Sequence, residues 1–206
     1  MSRSSFAFSA GIFFFLIAPL HTQSQVSTGI SFGTEGVQGF YLAIGEYYHV
    51  PERQVIVIHE RHIPDEELPV VFYIARRAHV APEAVMDLRL SGKSWWEITM
   101  YYRMGPEIYY VPVDYDPGPP YGRAYGYYKH KPRKQWRSMA LTDVEVVDLV
   151  NLRFVSDHYG YRPHDVIRMR SEGRNFVDIR DEARKVKGEK HGWKRGRGNG
   201  KGKGRK

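Results

Sequence analysis

Stretches of helical periodicity alternate along the chain with stretches that have none. Between Phe6 and Leu20 apolar residues run almost unbroken, after Arg3 and before the polar His21-Thr22-Gln23-Ser24. Further on, apolar positions recur at helical spacing: Val85 with Leu88, then Trp95, Ile98 and Tyr102 on one face. The pattern returns in Val166 with Met169, then Phe176, Ile179 and Ala183. A longer helix is predicted before each run, from Glu67 to His79 and from Thr142 to Tyr159. Phe40 to Tyr48 predicts a helix with Phe40, Ile44 and Tyr47 or Tyr48 inward. Arg53 to His59 is rich in β-branched residues and fits a strand or a short helix. Ser27 to Gly39, rich in Gly, Ser and Thr, is expected to be mobile. Gly105 to Gln135 carries seven tyrosines (109, 110, 115, 121, 125, 127, 128) among Pro and Gly. Within it, Ile108 to Val113 is expected to be extended and the run from Gly118 to Tyr128 not to be helical.

The two helical stretches repeat each other. Pro64 to Ile98 aligns without gaps to Glu145 to Ile179, an offset of 81 residues. Leu68/Leu149, Pro82/Pro163, Val85/Val166, Arg89/Arg170, Gly92/Gly173 and Ile98/Ile179 are identical, and Glu67/Asp148 and Trp95/Phe176 are similar. Each shared position has a local use. Pro82 and Pro163 suit a first helical turn, where the missing N–H costs nothing. Gly92 and Gly173 suit a left-handed helix end. Ser94 with Glu97, and Asn175 with Asp178, read as capping boxes opening the next helix; Thr142 with Glu145 reads as another. Arg89 and Arg170 stand where a cation complements the helix dipole, holding carbonyls or an acid such as Asp87, with an anion site as the alternative.

The fold class expected is therefore mainly α. A duplicated three-helix unit, an αα-corner with a Gly turn, is expected in a pseudo-two-fold arrangement, with an irregular Tyr/Pro/Gly-rich bridge and a disordered basic C-terminal tail. The boundaries are 1–24 for a signal peptide, 25–63 for an N-terminal segment, 64–104 for the first unit, 105–140 for the bridge, 141–186 for the second unit and 187–206 for the tail. Pro82 to Tyr102, a short helix, a Gly turn and Ser-Trp-Trp-Glu-Ile, resembles a resolvase-type helix-turn-helix. The resemblance implies DNA reading by the second helix, yet Trp95, Trp96, Ile98, Met100, Tyr101 and Tyr102 dominate that helix, as in a core. The second copy offers a more polar surface in Arg174, Asn175, Arg180 and Arg184.

The segment 1–24 reads as an export signal, with cleavage before Gln25 and a periplasmic or extracellular destination. Its apolar run is shorter than the ~20 residues of a membrane span. Cysteine is absent from all 206 residues, which excludes disulfides, thiolate metal sites and thiol nucleophiles. The hydrophobic fraction of 42% is too high for a wholly disordered chain.

The net charge of +8 is unevenly placed. From Arg184 to Lys206 eleven bases face one acid, Glu189, whereas residues 25–183 hold 19 bases and 22 acids, a net −3. Lys194, Arg195, Arg197, Lys201, Lys203, Arg205 and Lys206, spaced by glycines, form the candidate polyanion-binding site.

No nucleophile elbow, phosphate loop or cofactor motif is present, so no catalytic residue, metal or small-molecule cofactor is assigned. His59 and His62 lie three apart without a third ligand placed by spacing. Glu97 and Asp178, at equivalent repeat positions that a pseudo-two-fold would bring together, are the candidate carboxylate pair of a glycan-cleaving enzyme, although capping explains both. The bridge tyrosines pack over the two units, form an aromatic face for sugars or a peptide, or serve self-assembly. The expected function is that of an exported, non-enzymatic interaction or structural protein whose tail binds an anionic polymer or membrane surface. An envelope glycan-acting enzyme and a nucleic-acid binder using the tail are the alternatives.

Overall fold

The computed structural model describes residues 32–185; the expected signal peptide and the tail lie outside them. The described residues are mainly helical and contain no strand. The helices are α1 (Phe32–Tyr48), α2 (Glu52–Glu60), α3 (Leu68–Ala78), α4 (Pro82–Leu90), α5 (Trp95–Tyr101), α6 (Gly122–His130), α7 (Asp143–Tyr159), α8 (Pro163–Ser171) and α9 (176–185). Short 3-10 turns occupy Asp65–Glu67, Pro106–Tyr109 and Arg133–Ser138.

Helices α3 and α7 pack on each other and form the centre. Leu68 through Ala75 are all buried, as is most of Glu145 through Ser156, so each helix is covered on nearly every side rather than along one stripe. Helix α1 lies against α2, α3 and α7, α4 against α3, and α8 against α7. The local endings follow the sequence closely. Pro82 and Pro163 open α4 and α8. Gly92, at φ +92°, and Gly173, at φ +87°, close them. At the first end Lys93 N–H reaches Leu88 O and Gly92 N–H reaches Arg89 O; at the second, Arg174 reaches Met169 and Gly173 reaches Arg170. Both are Schellman endings, whose positive φ strains any residue with a Cβ. Ser94 with Glu97 and Thr142 with Glu145 form complete capping boxes.

Four expectations are corrected, and one left open is settled. Residues 32–39, expected to be mobile, are the first half of α1. Glycine is useful there because the chain must approach closely: a Cβ on Gly39 would stand 1.8 Å from Nη2 of Arg180. Arg180 itself is only 3% exposed and donates to the Gly36 carbonyl, so it is no part of a polar surface. The ambiguous 53–59 is helical, within α2, with Val55 and Ile58 buried. Ile108 and Tyr109 belong to a 3-10 turn rather than to an extended segment. The run 118–128, read as non-helical, holds the start of α6. Turn residues Gly118, Pro119 and Pro120 end just before it, and burial of Ala124, Tyr125 and Tyr128 outweighs the cost of about 1 kcal/mol per interior glycine.

Candidate functional site

Arg89 and Arg170 have closely matched surroundings. Arg89 donates through Nε and Nη2 to both carboxylate oxygens of Glu67, each at 2.9 Å, and through Nη1 to Asp143 at 2.6 Å and to the Lys93 carbonyl at 3.1 Å. Its guanidinium lies 4.8 Å from the centre of the Trp95 ring. Arg170 donates through Nε to Asp148 at 2.8 Å and through Nη1 to the Arg174 carbonyl at 3.1 Å, and Nη2 lies 3.6 Å from Glu66. Its guanidinium lies 4.9 Å from the Phe176 ring. The carboxylate arriving from the other half of the chain has a second task each time. Asp143 accepts the N–H of Trp95 at 2.7 Å, and Glu66 accepts that of Phe176 at 2.6 Å. The acid predicted for Arg89, Asp87, is not its partner; Glu67 and Asp143 are.

These contacts leave the two arginines fully engaged inside the body. Four carboxylates (Glu66, Glu67, Asp143 and Asp148) face two guanidiniums, a balance that suits cohesion rather than anion capture. Burial pushes Asp148 up to about 6 even though Arg170 pulls it down, and its Oδ2 has no hydrogen-bond partner. Glu145 behaves in the opposite sense. Burial raises it, but the bonds from Arg123 and Thr142 more than reverse that and hold it below the usual carboxylate range.

Glu97 and Asp178 are both exposed and both serve helix starts. Glu97 accepts the N–H and hydroxyl of Ser94, which hold its carboxyl low. Asp178 accepts the Asn175 amide at 2.7 Å, and its own N–H is capped by Asn175 Oδ1 at 2.8 Å. His59 lies 3.1 Å from Asp65 and packs on Tyr41. Among the described residues no group of three metal-ligating side chains occurs. Of the bridge tyrosines, 109, 121, 125 and 128 are buried in the core. The hydroxyl of Tyr109 meets Thr99 at 2.6 Å, and those of Tyr125 and Tyr128 donate to carbonyls at 2.7 and 2.6 Å. In the resolvase-like stretch Trp95 and Ile98 are fully buried, while Met100 and Tyr101 are half or more exposed. Lys194, Arg195, Arg197, Lys201, Lys203, Arg205 and Lys206 lie outside the described residues.

One cleft unites residues that the sequence does not mark as related. Tyr47 and Tyr48 at the end of α1, Tyr73, Arg76, Arg77 and His79 at the end of α3, and Arg153 and Asp157 of α7 line about 470 Å3. Burial raises the pKa values of Tyr47, Tyr48 and Tyr73, so their hydroxyls stay protonated donors at neutral pH. Tyr47 donates to Asp157 at 2.9 Å and Tyr73 to the Ile108 carbonyl. Arg153 donates to the Tyr110 carbonyl at 2.6 Å. The Tyr48 hydroxyl and Arg153 Nε are sealed beneath the cleft without an acceptor, each leaving an unsatisfied donor that costs about 1–3 kcal/mol. Arg77 lies 5.1 Å from the Tyr73 ring, and among the described residues no carboxylate pairs with Arg76 or Arg77. The sequence shows only an Arg-Arg pair near a helix end; the other walls come from helices distant in the chain.

No protein-family model, no curated protein and no solved structure matches the chain. None of the described helices is long and apolar enough to cross a membrane.

Proposed function

We propose that the protein is an exported, non-enzymatic interaction or structural protein, held to an anionic envelope or matrix polymer by its basic tail. One observation carries the reading: the charge partition, net −3 over residues 25–183 against eleven bases and one acid from Arg184 onward. A glycine-spaced polycation of this kind buries too little apolar surface to order itself and grips by charge. The engagement of Arg89 and Arg170 with internal carboxylates supports it, since it removes two body cations from competition for a polyanion. The body is, in this reading, a duplicated three-helix unit in pseudo-two-fold arrangement. Its support is the recurrence, 81 residues apart, of an arginine with a carboxylate of its own half, the carbonyl four residues on and the aromatic ring six residues on.

The test is retention on heparin against rising NaCl for the full chain and for a truncation after Val186. The full chain is expected to elute at clearly higher salt, because the truncation removes most of the tail's cations and exposed charge interactions are screened within about 10 Å at 0.1 M salt. Equal elution of the two proteins refutes the assignment.

A further inference from the structure

The cleft between the ends of α1 and α3 and the flank of α7 has an excess of positive charge that nothing in the body absorbs. Arg76, Arg77 and Arg153 supply three charges and Asp157 removes one. The C-terminal ends of α1 and α3 each contribute about half a negative charge. What remains is about one positive charge, which matches a monoanion. Two further features narrow the ligand. Guanidinium forks match the planar geometry of a carboxylate. The rest of the wall, with the exposed carboxylate of Asp157 and the half-buried Tyr47 ring, offers an acceptor and an amphipathic face suited to a polyhydroxylated ring. The volume, about 470 Å3, lies within the usual range for small-ligand sites.

From these we infer that the cleft binds a carboxylate-bearing sugar unit of an acidic glycan, with Arg76 and Arg77 as the cationic wall nearest solvent. The inference rests on the proposed attachment to an anionic polymer and names the chemistry of that polymer, but the site it uses is separate from the tail. The tail supplies sequence-independent charge attraction; the cleft supplies recognition of one residue of the chain, and the two together bind with the gain expected of linked modules.

The experiment titrates the full chain with trigalacturonate at about 150 mM salt, where weak tail contacts are screened, and reads ligand-detected NMR and calorimetry. Saturable binding is expected, with no saturation by the neutral trisaccharide maltotriose. Arg76→Ala/Arg77→Ala is expected to lose at least tenfold in affinity, and Arg76→Lys/Arg77→Lys to lose less, since it keeps charge but not the fork. Both side chains are exposed, so both variants are expected to keep the wild-type melting temperature, which is measured alongside. The truncation after Val186 is expected to bind trigalacturonate as the full chain does while losing heparin retention. Absence of saturable binding, equal affinity in the Ala/Ala variant, or loss of binding on truncation overturns the cleft assignment without touching the tail reading. Saturable binding of glycerol 3-phosphate without trigalacturonate binding overturns the choice of carboxylate.

Discussion

Removing Arg170 is expected to destabilise the fold more than removing Arg89, and by an amount that depends on pH. Asp148, at 0% exposure, has one oxygen bonded to Arg170 Nε at 2.8 Å and the other bonded to nothing. Arg170→Ala leaves that carboxylate buried and uncompensated, a loss of about 3–5 kcal/mol. Arg89→Ala leaves Glu67 and Asp143, whose side chains are 17% and 34% exposed, so water replaces part of what is lost and the cost is about 1–3 kcal/mol. The pH effect follows from the proton on Asp148. Its pKa in the folded protein, about 6, exceeds the ordinary 3.8, so the folded state holds the proton more tightly than the unfolded state does. Stability therefore falls as pH rises between about 4 and 6, by about 3 kcal/mol in all. Without Arg170, which pulls the value down, that window extends upward and the deficit of Arg170→Ala is larger at pH 8 than at pH 5. Urea unfolding at both pH values measures this, and adding Asp148→Asn to Arg170→Ala is expected to recover part of the loss at pH 8. A deficit for Arg170→Ala that is smaller than that of Arg89→Ala, or the same at both pH values, refutes the reasoning.

Two further substitutions test the backbone. A Cβ on Gly45 would stand 2.9 Å from the Val50 carbonyl oxygen, so Gly45→Ala is expected to destabilise by about 1–3 kcal/mol, whereas Gly126, inside α6 with open space around it, should gain about 0.5–1 kcal/mol on Gly126→Ala. Opposite shifts of urea midpoint check the pair, and shifts of the same sign contradict it. Thr142→Ala breaks the capping box at the start of central helix α7 and should cost about 1 kcal/mol, read by thermal melting with Val144→Ala, an exposed site, as control.

The cleft and the cohesive arginine pairs were unequally visible in the sequence. Pro82, Gly92 and Ser94, with their counterparts Pro163, Gly173 and Asn175, announce helix starts and ends because caps and Schellman turns are made by neighbours within six residues. The same locality made the offset of 81 residues readable. The partners of the arginines were half legible: Glu67 and Asp148 align, but Asp143 and Glu66 do not, since the reciprocal carboxylate comes from a different turn in each half. Tyr47, Arg76 and Arg153 carry no shared signal, because what joins them is the meeting of α1, α3 and α7.

By itself the sequence determined that the protein is helical, where most of its helices begin and end, and how its charge divides between body and tail; each depends on neighbours in the chain or on composition. Only the tertiary structure decided that α6 is a helix, that Gly39 makes room for a buried Arg180, and that three arginines and three tyrosines share a cleft. Those outcomes depend on burial and on close approach between segments far apart in the chain, where the free energy of packing outweighs the weak preferences of individual residues.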